Sequence, residues 1–400
     1  MEKPGLPATL RFGVLNLGHF YTHLFLLLHP TVVLALQREF GGTYGELLLP
    51  STAAFVAFGA GTLPAGWLGD RLPRESLLAA LFLGLALGAG IAAAATGPWM
   101  LTLGLGLVGL SAAIYHPVGI AMVVEGREEV GRALGINGVF GNLGVAAAPL
   151  VAGGLAAGYG WRAAFAVPAG VAALTGLAYL ALLTRMGHGQ RAAPRATAAR
   201  APEPLAAGER RRLVAVLGIA AFCGGLVFHG TTIVLPKLFE ARFGAALGGL
   251  LGVGGLASAV FVAAAFTQIA VGHLIDRRSI RAVLLALAAA QAGFLFVVGS
   301  AQGVVLGVLA LAAMAAVFGE IPIQDTLVAR HAASAWRARL YAVKYVVSLG
   351  VSALAVPLVA GLHDRGGFPM LFTVFALLST AVAAAALWLP QRRPLLATTP

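Results

Sequence analysis

Twelve apolar stretches, each of 20 residues or more, leave this 400-residue chain few ways to fold. A helix rises 1.5 Å per residue, so about 20 apolar residues cross the hydrocarbon core of a bilayer. The stretches run over residues 12–37, 46–69, 76–96, 98–124, 133–158, 161–184, 213–236, 247–274, 281–300, 302–329, 337–362 and 368–390. They are called spans 1 to 12 here. Tight junctions such as Thr96-Gly97-Pro98 and Tyr159-Gly160-Trp161 predict short turns between antiparallel helices. A soluble fold is excluded by arithmetic. Only 10% of the residues are charged and 59% are hydrophobic, against about 25% charged in soluble domains. Such a chain lacks the polar shell that would cover so large a core. The 53 glycines fit helices that pack closely in lipid.

The formal charge of +12 invites a nucleic-acid reading. The positions of the charges exclude it, since they fall in short segments between spans. With the N-terminus inside, the cytoplasmic segments hold 21 of the 27 basic residues. The outer side holds Arg38, Arg162, Lys237, Arg242 and Arg365, and Lys344 lies in span 11. This is the positive-inside bias, and it places both termini in the cytoplasm. Met1 to Leu10 is short and polar with no small-residue cleavage site, so span 1 is read as a helix and not a cleaved leader. Cys223 is the one cysteine; it sits in an apolar run and reads as a packing residue. The Ala-, Arg- and Pro-rich segment 185–212 reads as a flexible cytoplasmic linker. It separates two six-helix bundles, residues 1–184 and 213–400.

The two halves repeat each other. Gly66-Trp67-Leu68-Gly69-Asp70-Arg71 after span 2 matches Gly272-His273-Leu274-Ile275-Asp276-Arg277 after span 8. Leu143-Gly144-Val145 and Pro149-Leu150-Val151-Ala152-Gly153 match Leu349-Gly350-Val351 and Pro357-Leu358-Val359-Ala360-Gly361. Glu39-Phe40-Gly41 and Arg242-Phe243-Gly244 follow spans 1 and 7. A duplicated unit with a midplane site between its copies is a transporter architecture.

The Gly66–Arg74 segment resembles the signature loop of the major facilitator superfamily, with Pro73 and Glu75 as departures. Span 5 resembles that superfamily's antiporter motif through Gly135, Gly144, Ala148-Pro149 and Gly153-Gly154. Asn16-Leu17-Gly18-His19-Phe20, Tyr115-His116-Pro117 and Gly141-Asn142-Leu143-Gly144 resemble its fosmidomycin-resistance-like group; His23 stands where that group tends to carry an acid. The resemblance implies an all-α fold of twelve helices in two pseudo-repeats, in a bacterial inner membrane, with spans 1, 4, 7 and 10 lining a central cavity. It also implies a monomer. Asp70, Arg71 and Arg74, with Glu125, Asp276 and Arg277, would form a conformational latch. In that latch Asp70 faces the N-terminus of span 11 and Arg71 or Arg74 pairs with Glu125. The bland reading of these charges is a positive-inside anchor.

Ionisable groups inside a bilayer are costly and mark function. Spans 1, 4, 7 and 10 carry His19, His23, His116, His229 and Glu320, and with Asn16 and Tyr115 they form the candidate substrate and proton site. His19 and His23 are four apart and share a helix face, which Asn16 extends by a turn. A histidine titrates near neutral pH; it can equally be a packing residue bonded to a carbonyl. His29, beside Pro30, reads as interfacial or capping. Glu320-Ile321-Pro322 aligns with Tyr115-His116-Pro117 in the repeat, and proline can break the helix and expose carbonyls beside the site. Glu320 binds a proton or solute, or forms a structural ion pair with Lys344. Asp325 and Lys344 form a candidate gating pair. Asn137 and Asn142 line the cavity or bond a neighbouring helix.

The sequence has no Gly-x-x-x-x-Gly-Lys loop, no His-Glu-x-x-His and no cysteine pair, so neither an enzyme nor a cofactor is expected. The leading expectation is a proton-coupled secondary transporter that exports a small organic solute or drug by antiport. The alternative is a carrier of a transition-metal ion or small anion on His19, His23, His116, His229 and Glu320, because imidazoles suit such metals. A membrane receptor or scaffold without transport is the third reading. The partners expected are solute, protons and lipid, with no nucleic acid.

Overall fold

The computed structural model describes residues 6–125, 130–186, 207–331 and 334–389. Helix accounts for nearly all of them. Among the described residues, ten helices are long and apolar enough to cross a membrane. The expected twelve spans differ from these ten in two places. Residues Ser51–Arg71 form a helix of 21 residues, made less apolar by Thr52, Thr62, Asp70 and Arg71. Ser334–Ala386 runs as one element of 53 residues, but Gly367 interrupts it at φ 63. That left-handed conformation favours glycine, and it divides the element into two spans.

In chain order the helices are α1 (Ala8–Phe40), α2 (Tyr44–Leu48), α3 (Ser51–Arg71), α4 (Arg74–Ala93) and α5 (Pro98–Ala112). A π-helical turn over Tyr115–Gly119 leads into α6 (Ile120–Val124), α7 (Val130–Tyr159) and α8 (Ala163–Met186). Then come α9 (Ala207–Ile219), a second π-helical turn over Ala220–Gly224, α10 (Gly225–Phe243) and α11 (Leu250–Arg277). Finally come α12 (Ile280–Val298), α13 (Gly303–His331) and α14 (Ser334–Ala386). Both ends of the segment expected as a linker, 185–212, are helical. Arg185 and Met186 complete α8, and the segment from Ala207 to Arg212 begins α9. Residues 187–206 lie outside the described residues.

Contacts gather the chain into two compact units. The first is Met1–Thr197 with Phe239–Ser258; the second is Ala198–Leu238 with Ala259–Pro400. In the first unit α1 packs along α7, α4 on α8 and α5, and α3 on α5. Glycine permits these approaches. A Cβ on Gly144 would lie 2.2 Å from the Phe20 carbonyl oxygen, so only glycine lets α7 meet α1 there. Lipid supplies no hydrophobic drive between helices, so close van der Waals packing carries the association. The α1–α2 turn is fixed by a capping box. Thr43 Oγ1 accepts from the Glu46 amide at 3.1 Å, and Glu46 Oε2 accepts from the Thr43 amide at 2.9 Å.

The segment Phe239–Ser258 belongs to the first unit through specific contacts. Arg38 pairs with Glu240 at 3.3 Å, and Ser258 Oγ accepts from the Leu150 amide at 3.1 Å. In the second unit α12 packs on α13 and α14, and α14 also borders the second π turn. Its apolar core includes Leu213, Leu217, Leu284, Ile323, Leu327 and Val382.

Candidate functional site

Local chemistry explains where the first polar cluster forms. Pro117 has no N–H, so the Ala113 carbonyl loses the partner an α-helix would give it. The chain widens into the Tyr115–Gly119 π turn, in which the Ile120 amide reaches back five residues to the Tyr115 carbonyl. Such bulges recur at functional sites because they re-aim side chains. Here the turn presents Tyr115 and His116 to the α1 face that carries Asn16, His19 and His23.

Asn137 of α7 ties the cluster together. It is fully buried. Its Nδ2 donates to Asn16 Oδ1 at 2.9 Å and to the Tyr115 hydroxyl at 2.7 Å. Its backbone carbonyl lies 2.8 Å from His19 Nδ1. A carbonyl only accepts, so Nδ1 carries the proton and Nε2 holds the lone pair. The His19 ring stacks on Tyr115 at 4.7 Å between centroids and 15° between planes. His116 stands edge-on to both His19 and His23, at 5.4 and 5.7 Å. One ring nitrogen from each of His19, His23 and His116 lies within 4.8 Å of the others. His19 is buried; His23 and His116 are half-buried.

The second unit holds the other cluster. Glu320 of α13 is 4% exposed. Gln324, one turn on, donates to Glu320 Oε1 at 3.1 Å and to the Ala220 carbonyl at 3.1 Å. Ala220 opens the second π turn, so the amide bridges the carboxylate to irregular backbone. A Cβ on Gly224 would lie 2.7 Å from Glu320 Oε1. Glycine at the end of the turn therefore makes room for the acid. The expectation that Pro322 breaks the helix beside Glu320 is corrected: α13 continues through Pro322, and the irregular backbone comes from the facing π turn. Lys344 pairs with the Asp325 carboxylate, not with Glu320. His229 is buried on α10 with its ring edge-on to Phe228 at 5.3 Å. Of the five histidine and acid residues expected together, three converge in the first unit, while His229 and Glu320 belong to the second.

A charged network sits at the ends of α1, α4 and α6. Arg11 donates to Glu125 at 2.8 Å and to Glu75 at 3.2 Å, and Arg74 lies 3.7 Å from Glu125. Both carboxylates are nearly buried, so the guanidinium that joins them prevents uncompensated charge. Of the two candidates for Glu125, the structure selects Arg74. Arg71 instead folds back over the Trp67 ring at 3.9 Å. Asp70, Asp276 and Arg277 are exposed. His29 is fully buried, and its Nδ1 lies 2.6 Å from Ser51 Oγ at the start of α3. Sequence reasoning missed Arg11, Glu75 and Gln324. A buried acid at a helix start and an amide four residues after an acid were the signals available.

Helices long and apolar enough to span, with polar groups buried among them, define a multi-pass membrane protein. The chain belongs to the Major Facilitator Superfamily, whose profile matches residues 15–355; it is a transporter and not an enzyme. A stretch of 152 residues is 30% identical to a protein named multidrug resistance protein B homolog in Mycobacterium tuberculosis, in both strain CDC 1551 / Oshkosh and strain H37Rv. The match covers 36% of this chain and 28% of the relatives' length. The fold is similar to a bacterial homolog of the human lysosomal transporter Spinster, in an inward-facing and unoccupied conformation. The TM-score is 0.71 at 15% identity, over 95% of this chain and 94% of that one. It is also similar to a POT family transporter in complex with 5-aminolevulinic acid, with TM-score 0.72 at 13% identity over 97% of each chain.

Proposed function

We propose that the chain is a proton-coupled secondary transporter that exports a small organic solute or drug by antiport across a bacterial inner membrane. The observation that carries this reading is Glu320. A carboxylate in the middle of a span, held by an amide and bordered by a glycine, has little structural purpose and high cost. It can take a proton in one state and release it in another. The partial relatives named for multidrug resistance support export of an organic compound, and the antiporter-like glycines of span 5 support exchange over uniport. The three segments Asn16–Phe20, Tyr115–Pro117 and Gly141–Gly144 support placement in the fosmidomycin-resistance-like group.

In this mechanism two six-helix repeats, with both termini in the cytoplasm, work by alternating access. Asn16, His19, His23, Tyr115 and His116 contribute solute contacts from the first repeat, and His229 and Glu320 from the second. Asp70, Arg71, Arg74, Glu125, Asp276 and Arg277 act as the inner latch, reinforced by Arg11. Asp325 and Lys344 act as a gating pair. The protein works as a monomer. Reconstituted in proteoliposomes, Glu320→Gln is expected to cut uptake driven by a pH gradient by about tenfold or more while leaving solute counterflow. Full gradient-driven flux in that variant would clear Glu320 of coupling.

A further inference from the structure

We propose that His19, His23 and His116 form a binding site for one divalent first-row transition-metal ion of borderline softness, such as Zn2+, Co2+ or Ni2+, with a coordination position left open. The site rests on the geometry of the first unit alone and goes beyond the export reading, whose direction and coupling it does not use.

Two of the ligands come from helical spacing. Residues four apart on a helix bring two imidazoles to one face, the arrangement by which zinc-binding helices hold a metal. The third comes from the π turn, which places His116 against them. The ring nitrogens lie within 4.8 Å of one another. An ion about 2.0–2.1 Å from each nitrogen needs the rings to close by roughly an ångström, which small side-chain rotations supply.

The surroundings are those of a metal-ligating histidine. Such a residue donates its other ring N–H to a carbonyl or carboxylate, which fixes tautomer and orientation. His19 Nδ1–H donates to the Asn137 carbonyl at 2.8 Å, which leaves Nε2 as the ligand atom. Asn137 is itself held by Asn16 and Tyr115, and the Tyr115 ring braces the imidazole from one side. Gly141 completes the case. A Cβ at that position would lie 2.6 Å from His19 Nε2 and crowd the nitrogen that a metal would use.

The donor set selects the ion. Among the described residues the group holds three imidazoles and neither carboxylate nor thiol. Mg2+ and Ca2+ take oxygen ligands, and Cu(I) prefers sulfur, so these are disfavoured. Three neutral protein ligands leave the ion its full charge and one vacant position, the pattern of an open zinc site. An anionic oxygen of a small solute, or water, fits that position.

The test uses full-length protein, purified in detergent with its affinity tag removed. Co2+ is titrated and read by its visible d–d absorption; Zn2+ is titrated by calorimetry. One ion per chain is expected, with no competition from Mg2+. His23→Ala and His116→Ala should each weaken binding by about tenfold or more, and Gly141→Ala should weaken it with all three histidines intact. His273→Ala, at an exposed histidine of α11, should leave it unchanged. X-ray absorption on the Zn2+-loaded wild-type protein should count three imidazole nitrogens, a result that does not depend on any variant folding. No saturable binding, titration unchanged in both histidine variants, or fewer than three imidazoles at the metal would each overturn the site.

Discussion

The two π-helical turns place their polar groups in opposite ways. Tyr115–Gly119 carries its own chemistry: the widened backbone presents Tyr115 and His116, and a proline causes the widening. Ala220–Gly224 carries almost none. Its residues are small or apolar, it contains no proline, and it serves as a receptor for side chains from α13. Gln324 bonds its first carbonyl and Glu320 lies against its last glycine. The first turn thus builds a cluster of imidazoles and amides, and the second shelters a lone acid. One backbone irregularity can therefore act as a donor of functional groups or as space for them. The residue types decide which.

The largest effect that could break this contrast is functional. Glu320→Gln is expected to reduce gradient-driven flux in proteoliposomes by tenfold or more, equivalent to about 1.4 kcal/mol in the barrier. His116→Ala should alter solute affinity while keeping the response to the pH gradient. The reverse pattern would move coupling to the first turn.

A smaller and sharper comparison uses two glycines. Gly224→Ala puts a methyl group 2.7 Å from the Glu320 oxygen, and Gly141→Ala puts one 2.6 Å from His19 Nε2. Each overpacking should cost about 1–3 kcal/mol in thermal unfolding. Only Gly224→Ala should depress gradient-driven flux. Equal loss of coupling in both variants would mean that the two clusters act as one.

The smallest expected difference concerns the two bridging amides. Asn137→Ala removes two side-chain hydrogen bonds among fully buried groups and should cost roughly 1–3 kcal/mol. Gln324→Ala should cost about 1 kcal/mol, because Glu320 can take up a proton when its donor is lost. Melting curves in detergent rank the two, and a larger loss for Gln324→Ala would reverse the expected order.

Much of this was legible in the chain. The apolar runs gave the membrane class, and the Gly66–Arg74 loop gave the superfamily that the profile match establishes. The pairing of His19 with His23 follows from a four-residue spacing. The expected linker took in Ala207–Arg212 because three of these six residues are arginines, and arginine there is compatible with a helix end as well as with a loop. A helix break was expected to be possible at Pro322 because proline is its usual cause. A membrane helix can keep its course through proline when its neighbours satisfy the freed groups.

What the sequence by itself determined is local: which segments are apolar enough to span, and which polar residues share a face. These follow from periodicity and from the energy of lipid burial. Only the tertiary structure decided which polar groups meet. His19 reaches Asn137 across 118 residues, Arg11 reaches Glu125 across 114, and Gln324 reaches Ala220 across 104. Such contacts depend on how helices cross and on where a π turn rotates one face, and no periodic pattern along the chain encodes either.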